Sequence, residues 1–129
     1  MNGLPALLLV MAGGAIGAGA RFLIGGWLLR QLGAGFPWGT FAVNVLGSFG
    51  AGLLLVWLQR PEAAAWLRPL LMTGLLGGLT TYSALMVDCL LLWRELERPG
   101  MAVAYLALTV VCGIGALLGG WWLGQQLRA

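Results

Sequence analysis

Three polar side chains recur at four-residue intervals inside an apolar run of this sequence. They are Thr40, Asn44 and Ser48, within GTFAVNVLGSFGAG (residues 39–52). That spacing sets all three on one face of a helix. An asparagine amide carries two N–H donors and each hydroxyl carries one, so the stripe offers donors, and donors suit an anion. A second apolar run holds GLLGGLTTYSAL (residues 74–85), with Gly74, Gly77 and Gly78 followed by Thr80, Thr81, Tyr82 and Ser83. A helix broken there frees backbone carbonyls, and carbonyls at the end of a half-helix coordinate cations such as Na+. The rival explanation is structural: glycines for close helix contact, threonines bonded back to their own helix. Arg21 interrupts the first apolar run and Thr109 the last. Arg21 either snorkels to an interface or makes a vestibule attractive to anions. Asp88 follows the glycine stretch as an interfacial acid or the partner of an arginine.

The elements that must carry these residues are membrane spans. Of 129 residues, 60% are hydrophobic and only 9% charged, against roughly 25% charged in a soluble domain; mean hydropathy is +0.93. A span takes about 20 apolar residues, so the length allows four spans and no soluble domain. The expected fold class is all-α integral membrane. A single four-helix transmembrane subunit occupies residues 1–129, with spans at about 4–29, 38–58, 69–93 and 101–127 and a break in the third. The N-terminus lacks the basic region of a cleaved signal. Small residues four apart, Gly13 with Gly17 and Gly115 with Gly119, suit close helix packing in lipid.

Charge narrows the function classes further. All seven basic residues are arginine and they form no run, which gives nucleic acid no footprint. There is no histidine, and Cys89 and Cys112 sit apart within apolar runs; neither a His/Cys metal site nor acid–base enzyme chemistry has its usual groups. Arg60, Arg68 and Arg128 fall at one end of the spans, and Arg30, Arg94 and Arg98 at the other. Orientation follows an arginine and lysine bias between the two sides. A chain without one inserts either way round, and two opposed copies then pair about an axis in the membrane plane, mimicking inverted repeats.

Together, GGAIGAGARF (13–22), WGTFAVNVLGSFGAG (38–52) and GLLGGLTTYS (74–83) make the chain similar to the Fluc or CrcB fluoride channel family. The likeness covers nearly the whole length in motif order and spacing. It implies a dual-topology antiparallel homodimer in the plasma (inner) membrane, with the lipid bilayer and a second copy as partners. Fluoride would leave the cytoplasm passively, giving fluoride resistance. The resemblance implies a structural Na+ at the dimer centre, held by the carbonyls of Gly77 and Thr80. It implies a fluoride path along Asn44, Thr40, Ser83 and Thr109, with Arg21 at the vestibule and Tyr82 and Leu85 at the two ring positions that line it; Ser48 joins the path from the polar stripe. The sequence departs from the family where two phenylalanines are usual: Tyr82 keeps a ring and adds a hydroxyl, and Leu85 has no ring edge to offer an anion. That departure leaves one half of a heteromeric fluoride channel as an alternative. A proton-coupled transporter of the small multidrug resistance type is the other; it needs an acid in the first span, and this first span has none.

Overall fold

The computed structural model describes residues 3–129; Met1 and Asn2, part of the expected subunit, lie outside the described residues. Helix α1 covers Leu4–Leu32 and α2 covers Trp38–Trp57. Helix α3 spans residues 68–79, wound as a wide π-helix over Arg68–Leu76 and as α over Gly77–Leu79. Helix α4 spans residues 82–95, α over Tyr82–Leu90 and π over Leu91–Glu95. Helix α5 covers Pro99–Arg128. Among the described residues, four helices are long and apolar enough to cross a membrane, α3 and α4 together counting as one.

Local chemistry accounts for the ends. Prolines open α1, α3 and α5 in their first turns, where the missing N–H costs no hydrogen bond. Gly33, at φ 77°, closes α1 and returns its N–H to Leu29 O, a backbone turn that glycine makes without strain.

Glycines seat the helices on one another. A Cβ at Gly13 would strike Leu70 O, one at Gly17 Leu75 O, and one at Gly78 Gly14 O. Helices α1 and α3 therefore touch backbone to backbone. Helices α2 and α5 do the same, through Gly52 against Leu117 O and Gly120 against Phe49 O. The expected pair Gly115 and Gly119 has no neighbour within 4 Å; Gly120 and Gly124 take that role at the same spacing. Both pairs satisfy the small-residue rule, and only the rotation of α5 decides between them.

A side-chain core forms at one end. Leu85, Leu92, Ala102 and Tyr105 are buried together, with Phe36 and Phe41 against them. Phe36 meets the Tyr105 ring edge-on at 5.2 Å, a favourable aromatic geometry. The outer helix faces carry exposed Leu, Val, Ile and Trp, as suits lipid contact.

Candidate functional site

Helical geometry stops at Leu79 and resumes at Tyr82. Thr80 has φ −84° and ψ 155°, Thr81 φ −152° and ψ 120°, both extended. Unpaired backbone at membrane depth is costly unless protein, water or an ion satisfies it.

Asn44 satisfies two backbone groups of this stretch. Its Nδ2 donates to Thr81 O at 3.0 Å, and its Oδ1 accepts from Thr81 N at 2.7 Å. One amide side chain thus holds both backbone groups of Thr81, much as a neighbouring strand would. Arg21 Nε donates to Gly78 O at 3.0 Å. Thr81 Oγ1 accepts from Ala84 N at 3.1 Å, capping α4. Carbonyls on the α3 side of the junction lose their helical donors, Gly77 O and Thr80 O among them. In an unbroken helix Gly77 O accepts from Thr81 N and Thr80 O from Ala84 N; here Thr81 N goes to Asn44 and Ala84 N to the Thr81 hydroxyl.

These groups border an open groove of about 460 Å³ on the side of the molecule. Asn44, Ser48, Gly77, Thr80, Thr81, Tyr82, Leu85 and Thr109 all line it. The hydroxyls are turned onto their own helices. Ser48 donates to Asn44 O, Thr80 to Leu76 O and Thr109 to Tyr105 O, at 2.7–2.8 Å. In this state their protons point at backbone and their lone pairs remain, so anion coordination requires each O–H to rotate. Tyr82 is 75% exposed and presents its hydroxyl at the open face, while Leu85 is buried.

Residues 8–121 match the family described as CrcB-like protein, Camphor Resistance (CrcB). The chain belongs to this family. A protein of Xanthomonas euvesicatoria pv. vesicatoria (strain 85-10) is 51% identical over 124 residues, covering 95% of this chain and 92% of that one. A protein of Xylella fastidiosa (strain 9a5c) is 54% identical over 119 residues, covering 88% and 82%. One from Chelativorans sp. (strain BNC1) is 47% identical over 122 residues, covering 94% and 97%. All three carry the name fluoride-specific ion channel FluC. This CrcB-like chain is a multi-pass membrane protein, with four helices among the described residues long and apolar enough to span.

Not every residue expected at the site reaches the groove of this family member. Thr40 lines a separate cavity of about 320 Å³ with Asp88, Phe36 and Trp38. Ser83 is exposed beside the groove and lies 3.4 Å from Thr81 Oγ1. Arg21 does not line the groove and reaches from α1 to Gly78 O.

Tyr105 and Asp88 carry more than the sequence assigned to them. Tyr105 is fully buried and donates to Asp88 Oδ2 at 2.9 Å. Tyr105 thus bonds both to Asp88, which lines the Thr40 cavity, and to Thr109, which lines the groove. The signal was a lone acid in an apolar span, which must find a partner within the protein.

Proposed function

We infer that this chain forms a fluoride-selective channel that exports the ion passively from the cytoplasm across the plasma (inner) membrane. Relatives of near-equal length named as fluoride-specific channels support it. The observation that carries it is the groove, which gathers Asn44, Ser48, Thr80, Thr81, Tyr82 and Thr109 along one open side of a molecule whose outer helix faces are largely apolar. A polar face at bilayer depth needs a polar neighbour.

A second copy in the opposite orientation is the neighbour that the balanced arginines favour. Two opposed copies would enclose both grooves and bring the interrupted third spans together. The carbonyls of Gly77 and Thr80, the positions the resemblance implies, would hold a Na+ there; both have lost their helical donors, whereas Gly78 O and Thr81 O already accept from Arg21 and Asn44. Bound at that point, the cation would supply positive charge that joins the copies and raises the local potential for anions.

The chain's own residues would do the rest. Hydrogen fluoride crosses bilayers and dissociates in a less acidic cytoplasm, where the anion is trapped. Leaving requires replacing its tightly held water with close donors, as filters replace the water of cations. Asn44 has a second N–H beyond the one given to Thr81. Ser48 and Thr109 each reach an anion by turning one O–H torsion away from a backbone carbonyl. The Tyr82 hydroxyl is already free at the open face.

Fluoride efflux from liposomes holding only this purified chain tests the reading, with chloride efflux as control. Release of fluoride at least tenfold faster than chloride is expected. Equal leakage of both ions, or silence from a well-folded dimer, would count against a homodimeric fluoride channel.

A further inference from the structure

Two cavities meet at the opposite rim of the bundle, far along α2 from Thr40. The first, of about 450 Å³, is lined by Leu53, Leu54, Trp57, Gly124 and Leu127, with Arg60 as its one charged residue. Its floor exists because α5 has no side chain at Gly124, where a Cβ would sit 2.9 Å from Val56 Cβ. The second, of about 210 Å³, shares Trp57 and Arg60 and adds Glu62, Ala63, Ala64 and Leu67. An apolar slot between two spans therefore opens into a small chamber bearing one cation and one carboxylate.

The level in the bilayer is set by the chain itself. Helix α2 ends at Trp57, and Trp57 is 45% exposed; tryptophan favours the headgroup level. Arg60 and Glu62 follow on a wound link. Arg60 N donates to Trp57 O at 3.3 Å, Ala63 N to Arg60 O at 3.0 Å and Leu67 N to Ala64 O at 3.0 Å. Arg60 is half-buried there, so both charges are offered from an ordered backbone at the depth of lipid phosphates.

We propose that this rim is a binding site for a phospholipid with a primary-ammonium headgroup, of the phosphatidylethanolamine type. One acyl chain lies in the slot lined by Leu53, Leu54 and Leu127. The phosphate sits at Arg60, whose planar fork of donors matches phosphate oxygens. The ammonium reaches Glu62, completing a charge match that neither a purely anionic nor a quaternary headgroup makes. A phosphatidylglycerol would bring negative charge alone beside Glu62. A choline headgroup has the charge but no N–H to donate. The site is independent of the conduction reading and requires neither fluoride nor a dimer.

The test compares the purified chain in phosphatidylcholine nanodiscs doped with phosphatidylethanolamine, its N-methylated forms, or phosphatidylglycerol, reading Tm and the lipid retained in native mass spectrometry. Phosphatidylethanolamine should raise Tm by several degrees and be retained at least fivefold over phosphatidylcholine and phosphatidylglycerol. The preference should fall stepwise with N-methylation. It should vanish in Arg60→Gln and in Glu62→Gln, both exchanges on a surface link that leaves the helices intact. Equal retention of all lipids would overturn the site. A preference that survives both variants would report a bulk property of the bilayer and overturn it too, and stronger retention of phosphatidylglycerol would overturn the role of Glu62.

Discussion

Helices α3 and α4 are consecutive pieces of one span, yet they are held by opposite means. Helix α3 is seated on α1 through glycine backbones, with Gly13 and Gly17 facing Leu70, Gly74 and Leu75 and no side chain between. Helix α4 is held by side chains: Asn44 at its start, Asp88 with Tyr105 along it, and the cluster of Leu85 and Leu92. Its other face stays open, with Tyr82 75% and Val87 54% exposed. Backbone-to-backbone seating allows no adjustment, whereas side-chain anchoring leaves a polar edge free to meet an ion or another copy. The extended Thr80 and Thr81 join the rigid piece to the open one.

Substitutions should separate the two kinds of anchoring. Gly17→Leu has the largest expected effect, because its side chain must enter the space held by Leu75 O and Leu79 N. Overpacking costs about 1–3 kcal/mol where side chains can shift, and here backbone must move, so the variant should lose its folded peak in size-exclusion chromatography. A folded Gly17→Leu would show that the α1–α3 contact is softer than its geometry. Thr81→Ala removes the cap that accepts from Ala84 N; a lost N-cap costs about 1 kcal/mol, so Tm in detergent should drop by a few degrees with the helices retained. Ser48→Ala removes a hydroxyl that bonds only its own helix at Asn44 O. Its stability should stay within about 0.5 kcal/mol of the parent, while fluoride efflux should slow if that hydroxyl turns toward the ion.

Much of this division was legible in the sequence, and the rest was hidden for identifiable reasons. Four helices long and apolar enough to span a bilayer followed from run lengths, since backbone groups in lipid leave helices as the economical solution. The ends shifted: α1 runs on to Leu32 because Gly33 closes it, and the last helix begins at Pro99, which fits a first turn. Glycine spacing foretold close packing but not which of two staggered pairs on α5 faces α2, as spacing carries no rotation angle. The periodicity that put Thr40, Asn44 and Ser48 on one face was sound, yet a single face of a long helix passes more than one cavity, so Thr40 stands apart. The bond from Asn44 to Thr81 joins residues 37 positions apart, and no local pattern encodes such a pairing. The lone Asp88 signalled that it needs a partner, but nothing local named Tyr105, 17 positions on.

The most direct test of the account compares fluoride efflux from liposomes carrying the parent chain and the Asn44→Asp variant. Size-exclusion chromatography would first establish that both are folded. Aspartate keeps the size of asparagine and the acceptor for Thr81 N, but it replaces the donor amide with negative charge. The account predicts rapid, chloride-discriminating efflux from the parent and none above empty liposomes from the variant. Equal efflux from the two would contradict a fluoride path that passes Asn44.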